Sequence, residues 1–472
     1  MTLGPFNAGQ GLGSNVEISD DSFNAFVEQR WIPVVTYSPW FVDGYAAFNA
    51  QFEVDFQWGL AANAIQNNQG GGFNADQVNL QTKNVNVALY PTKNPRQLTL
   101  ILGTQPVYDT IYDPTRTSIF KIIKTGYKLS FLASDASGVS LFSEVGGHWK
   151  ASLLPLSAGQ PDLAAEGDAT FGYAWLATLD YAYDVDPSTV IGASAWHLRD
   201  DTDGSAFAFQ GLVRNGPSNT SGLPAFTGVP NFNIDAASGY VNYVGIHGHH
   251  NVDFEAGRFG MSGFLMLNEG KFESQSTSSD NLDELNILGL SANLEAFYQW
   301  GKTLQDVVSL EAMYSSGDDD VSDSDYKGAF TLNNYGLPGA VWFNHKTLLL
   351  FPFTSTVSNY TGAVTDLSNQ GYGLRAAILA GAWDIIPDKL NLKLGAAQGF
   401  SDAAPPPASA TGIERGTNIG TEVNAELKLH FRYLMTLGVH AAYMARGSFY
   451  DGSTQVTADP WAFFTTFTWY GF

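Results

Sequence analysis

Between Tyr45 and Trp58 the residue types alternate one for one. Ala46, Phe48, Ala50, Phe52, Val54, Phe56 and Trp58 share one parity, while Ala47, Asn49, Gln51, Glu53, Asp55 and Gln57 share the other. Side chains of an extended chain point alternately to opposite faces. The segment therefore reads as a strand with one apolar and one polar face. A strand of a soluble sandwich can alternate as well, so one such segment decides little.

The pattern recurs along the chain. Phe171, Tyr173, Trp175, Ala177, Leu179, Tyr181 and Tyr183 oppose Thr178, Asp180 and Asp184. Leu290, Ala292, Leu294, Ala296, Tyr298 and Trp300 oppose Ser291, Asn293, Glu295 and Gln299. Val308, Leu310, Ala312 and Tyr314 oppose Glu311, and Leu374, Ala376 and Ile378 oppose Arg375. Val423, Ala425, Leu427 and Leu429 oppose Glu422, Glu426 and Lys428, and Leu437, Val439, Ala441 and Tyr443 oppose His440. Strands of about 10 to 14 residues are long for a sandwich and suit tilted membrane strands. Aromatic residues gather at strand ends, among them Trp58, Tyr181, Tyr183, Tyr298, Trp300, Tyr314 and Tyr443, where an interfacial girdle would place them.

Composition narrows the choice. Charged residues are 15% of the chain, against roughly 25% in ordinary soluble domains, and aromatics are 14%. Mean hydropathy is nevertheless −0.08. No stretch supplies the roughly 18 to 20 apolar residues of a membrane helix: Leu348–Phe353 is broken by Pro352, and Ala376–Ile386 contains Gly381 and Asp384. The other structure that can span lipid is a closed barrel.

Connection lengths point the same way. Short turns are expected at Asp135–Gly138, Asp184–Thr189, Glu255–Arg258, Gly301–Asp306, Pro387–Lys389 and Arg432–Met435. Long polar connections are expected near 105–125, 151–167, 200–239, 270–284, 316–370, 400–418 and 447–460. Short periplasmic turns alternating with long extracellular loops are the habit of outer-membrane barrels. The expected fold is all-β: a single closed antiparallel transmembrane β-barrel of 16–18 strands. About 16 lie between Tyr45 and Phe472, and Phe23–Thr36 with one more hairpin half makes about 18. Residues 1–44 are then a periplasmic tail or a first strand, and 45–472 the barrel.

The chain ends Trp461-Ala462-Phe463-Phe464-Thr465-Thr466-Phe467-Thr468-Trp469-Tyr470-Gly471-Phe472. A terminal Phe behind an aromatic, alternating strand resembles the signal read by the outer-membrane assembly machinery. Gly471 puts Phe472 in register with Tyr470 rather than Trp469, so either a bulge shifts the phase or the weaker face meets lipid. Met1-Thr2-Leu3-Gly4-Pro5 has neither a basic region nor an apolar core, and a secreted barrel is expected to have lost its leader.

Several phrases resemble barrels of the alginate-export type and related porins. They are Gly420–Leu427, Leu437–Tyr443, the closing Asp459-Pro460-Trp461, and Leu98–Gln105, with Thr104 where that family's Arg is expected. The resemblance covers about a third of the chain and implies fold more than cargo. It implies a basic pore for a polyanion, whereas the polar parity here carries Glu53, Asp55, Asp180, Asp184, Glu295, Glu311, Glu422 and Glu426 against Lys128, Arg375, Lys393 and Lys428.

The net charge of −23 argues against nucleic acid and for cations. With no cysteine, disulfides and thiolate sites are excluded. Asp318, Asp319, Asp320, Asp323 and Asp325 form an acidic run with oxygen ligands suited to Ca²⁺, without the EF-hand spacing. A solvated loop tip is the simpler reading, and no other cofactor is expected. His247 and His249 share a face near Asp253, which would suit Zn²⁺ or a polar stripe. No Gly-x-Ser-x-Gly elbow is present, so no catalytic role is expected. The loop 316–370 has an apolar centre, Ala340–Phe343 and Leu348–Phe353, that needs a partner; folding into the barrel is the favoured solution.

The expected function is a porin-like outer-membrane channel for passive diffusion of small hydrophilic solutes or ions, preferring cations. Its surroundings would be lipid and lipopolysaccharide. Export of a polymer and a loop-plugged structural barrel that binds a partner protein are the alternatives; a homo-oligomer stays open.

Overall fold

The computed structural model describes residues 2–3, 24–59, 78–156, 174–202, 234, 237–274, 282–320, 323–332, 346–351, 363–364, 367–408, 411–432, 434–454 and 456–470. They form one sheet of twenty strands. The first ten are β1 (Thr2–Leu3), β2 (Asn24–Trp31), β3 (Val34–Tyr37), β4 (Ala46–Gly59), β5 (Val78–Leu89), β6 (Thr99–Tyr108), β7 (Ala133–Ser143), β8 (His148–Pro155), β9 (Ala174–Asp186) and β10 (Thr189–Asp200). Then come β11 (Ala237–His250), β12 (Phe259–Ser274), β13 (Glu284–Gln299), β14 (Val307–Ser315), β15 (Asp325–Tyr326), β16 (Leu374–Ile386), β17 (Leu390–Phe400), β18 (Asn418–Arg432), β19 (Met435–Arg446) and β20 (Trp461–Trp469). A one-turn helix, α1 (Ile119–Ile122), interrupts the connection after β6.

From β4 onward each long strand pairs antiparallel with the next, β14 passing over the two-residue β15 to β16. β2 and β3 both lie along β4 and are parted at Pro33, which has no N–H to donate. Among the described residues, the seam between this pair and β20 is bridged only by β1, where Thr2 stands opposite both Ala25 and Phe463. The described sheet is therefore not closed along its height. Connections alternate between short turns, such as 144–147, 187–188 and 387–389, and longer ones, such as 109–132 and the connection 316–373, which is described only in part.

The two faces are the inverse of a soluble protein. Leu294 is 56% exposed, while its neighbour Glu295 is 3% exposed. Leu179, Val244, Ile246, Leu310, Leu394, Val423 and Phe467 are likewise exposed, and Asp180, Asn293, Glu311, Glu422 and His440 buried. Soluble chains bury the first set and expose the second. On β20, Phe463, Phe467 and Trp469 carry the exposed parity; Phe472 lies outside the described residues.

Several expectations need correction. Asp135–Gly138 lies inside β7, and the turn falls at 144–147. The loop expected at 105–125 runs from 109 to 132, because β6 continues to Tyr108. β8 extends through Pro155 and β12 through Ser274, shortening two expected loops. On β16 the parity is reversed: Leu374 and Ile378 are buried inside, and Arg375 and Leu379 face out. Both parities of that strand are apolar, so alternation there could not tell lipid from a filled interior.

Two loops pack against the inner face. Tyr127, Phe131 and Leu132 from 109–132, and Leu348, Leu349, Leu350 and Phe351 from 316–373, form one apolar cluster with wall residues Trp196, Tyr243, Phe264, Met266 and Ile378. Full burial of such side chains contributes about 1.5–3 kcal/mol each. The apolar centre of the second loop, as far as it is described, thus folds inward.

Candidate functional site

Glu295 on β13 stands directly opposite Glu311 on β14, both on the inner face. Like charges in that cross-strand position repel. Two lysines from different loops counter them. Lys128 Nζ, from 109–132, lies 2.8 Å from Glu295 Oε2 and 3.5 Å from Glu311 Oε1. Lys346 Nζ, from 316–373, lies 2.7 Å from Glu311 Oε2 and also meets Glu295 Oε1. Burial pulls the Lys346 ammonium down, but Glu295 and Glu311 overrule it and hold it above the ordinary lysine range. Asn293 Nδ2 donates to Glu311 at 2.7 Å.

A second carboxylate holds the backbone of the same loop. Glu422 Oε1 accepts the Leu348 N–H at 2.7 Å, and its Oε2 accepts those of Leu349 and Leu350 at 2.9 and 2.6 Å. The neck of the other loop is tied alike: Asp109 Oδ1 accepts the Leu129 N–H at 2.7 Å, and Oδ2 accepts that of Phe131 at 2.8 Å. The loop then reaches toward the short-turn end, where Lys121 pairs with Asp253 at 3.6 Å and Tyr112 packs edge-on against His148. It needs glycine to seat: a Cβ on Gly245 of β11 would come 2.5 Å from the Tyr127 hydroxyl.

Burial pushes the Asp109 carboxyl up to about 7, against the pull of the Phe131 and Leu129 amides and of Lys150. A raised folded value means its contribution is complete below the unfolded value of about 3.9 and is lost as pH rises through the folded one. Thermal denaturation in detergent should therefore show wild type gaining most over Asp109→Asn below about pH 4. The gain should shrink as pH rises through about 7. A difference that stays constant from pH 3 to 9 would contradict the assignment.

The remaining sequence-derived positions sort as follows. Asp180 is buried, accepts from Ser194 and from Trp196 Nε1, and faces Lys150 at 3.7 Å. Asp184 is exposed and meets His148 at 3.0 Å. Glu426 contacts Lys428 at 2.8 Å and His440 Nδ1 at 2.9 Å. Lys393 shares the inner parity of β17. Arg375, on the outer parity, bonds Ser401 O at 3.0 Å. Glu53 and Asp55 lie on β4, but their side chains are outside the described ones. Lys128 belongs to a loop rather than to the wall.

No group of three metal-binding side chains converges among the described residues. Asp318 spends its oxygens on the Asp320 and Lys327 N–H groups, and Asp323 on that of Asp325. Asp319 is exposed. His247 and His249 are both buried inside, His247 against Gly192 and Tyr127, and His249 beside Tyr112. Lys346 and Asp109 escaped sequence reading. A lone lysine just before the apolar Leu348–Phe351 was a usable signal for the first; nothing marked the second.

No protein-family model matches the chain, and no curated protein matches it. Solved structures do. OccAB1 of Acinetobacter baumannii is 12% identical, with 96% of this chain and 92% of that one covered at a TM-score of 0.51. OccK9 (OpdG) of Pseudomonas aeruginosa is 12% identical over 96% and 94%, with a TM-score of 0.47. The outer membrane channel DcaP of Acinetobacter baumannii is 12% identical over 99% and 96%, with a TM-score of 0.38. The alginate-export resemblance finds no support among these structures. What the chain shares with OccAB1 is the fold, a long antiparallel all-β sheet.

Proposed function

We propose that the chain is a porin-like channel of the bacterial outer membrane, closed into an 18-stranded barrel, through which small hydrophilic solutes diffuse passively. The observation that carries this is the inverted sheet, with exposed Leu294 beside buried Glu295. Such a surface is stable in lipid, and a polar inner wall is what a solute path requires. Residues 45–472 supply sixteen of its strands, β4–β14 and β16–β20; β2 and β3, end to end along β4, fill the next position and β1 the last. The comparison with OccAB1 supports the fold of this reading.

Two loops lie on that wall, so the path is narrow and is bounded by 109–132 and by the described segment 346–351. Three carboxylates of the inner wall are engaged: Glu295 and Glu311 by lysines, and Glu422 by backbone N–H groups. We assign cation preference to Glu53 and Asp55, which share the polar parity of the β4 sequence. In planar bilayers the protein should give stable conductance, and Glu53→Gln with Asp55→Asn should move the reversal potential toward zero. An unchanged potential would remove these two residues from the path. The depth of loop burial favours a second reading, a loop-plugged structural barrel, which complete electrical silence of the folded protein would select.

A further inference from the structure

We infer that Glu295 and Glu311 are a common anchor for both inward loops, so that one pair of wall carboxylates decides whether 109–132 and 316–373 sit against the wall together. The inference deepens the channel reading and rests on it, because these loops define the path.

Each glutamate contacts both lysines. Glu295 meets Lys128 through Oε2 and Lys346 through Oε1; Glu311 meets Lys128 through Oε1 and Lys346 through Oε2. All four side chains are at most 7% exposed. With both loops seated the charges cancel. With one glutamate neutralised, two buried ammonium groups share one carboxylate, and a net positive charge in a dry interior is strongly unfavourable. With both loops away, two carboxylates are left facing each other across a strand pair. The backbone also shows the demand: Lys128 and Leu129 adopt φ of 56° and 62°, a region side chains avoid unless the surroundings impose it. The other two carboxylate ties described above are private. Asp109 holds the first loop and Glu422 the second.

Hydrogen–deuterium exchange of the full chain in detergent tests this without any reference to transport. Glu295→Gln should raise exchange several-fold in both 119–132 and 346–351, with β17–β19 unchanged. Asp109→Asn should loosen the first segment alone, which marks a private tie. Response of only one segment to Glu295→Gln, or of neither, overturns the common anchor. Glu311→Gln repeats the test should Glu295→Gln fail to fold. Bilayer recordings of the same variants supply a separate readout. Larger unitary conductance than wild type supports the anchor's place in the path, and wild-type silence overturns the channel reading while leaving the exchange result to decide the anchor.

Discussion

Replacing Glu422 by Ala is expected to destabilise the folded protein by about 3–5 kcal/mol, the largest single effect on the inner wall. Its carboxylate takes three successive N–H groups, those of Leu348, Leu349 and Leu350, and the side-chain amide of Asn424. Alanine would leave these donors buried and unmatched, and each unmatched donor costs about 1–3 kcal/mol, not fully additively. Leu350 and Phe351 are fully buried in the apolar cluster, so water cannot reach the donors without pulling the loop off the wall. Urea unfolding in detergent should show the loss, with new proteolytic cleavage near 346–351. Glu422→Gln keeps one accepting oxygen and should fall between. An alanine variant within about 1 kcal/mol of wild type would mean that the loop does not depend on this clamp.

Leu294→Arg is the second large effect, and it separates membrane from water. In a soluble protein, a leucine exposed to this degree could be replaced by arginine at a cost within about 0.5 kcal/mol. In lipid, a charge at mid-strand on the outer face costs about 2–4 kcal/mol. Leu294 sits opposite Gly263 on β12 and Ala312 on β14, so little side chain surrounds it to shelter a guanidinium. Folding titrations into lipid vesicles should show the full loss. Lys302→Arg, in the turn between β13 and β14, is the neutral comparison. Equal stability of Leu294→Arg and wild type in vesicles would sink the lipid-facing assignment.

Much of the fold was legible in the residues. The outward parity of β9, β13, β14, β18 and β19 follows from alternation, because adjacent side chains must point to opposite faces and only one solvent tolerates each set. Where that signal is weak, reading failed. β16 is apolar on both parities because its inner face packs against buried loops, so Arg375 was placed on the wrong side. β7 begins Ala133-Ser134-Asp135-Ala136-Ser137-Gly138, small and polar residues that look like a turn. Antiparallel pairing with β6 along this whole stretch keeps them extended.

The carboxylates show the same division. That Glu295, Glu311, Glu422 and Glu426 turn inward follows from their parity. What they do there does not, because their partners are distant in sequence: Lys128 lies in another loop altogether, and Lys346 and the Leu348–Leu350 amides come from a loop whose path no local pattern specifies. An acidic wall read from the sequence implied free charge for passing cations, yet the folded chain supplies lysines and amides that consume it. The sequence by itself determined a two-faced sheet with apolar and aromatic residues toward lipid, because strand periodicity is local. Only the tertiary structure decided that the interior is lined by captured loops, because which buried charge meets which cation depends on loops returning to the wall.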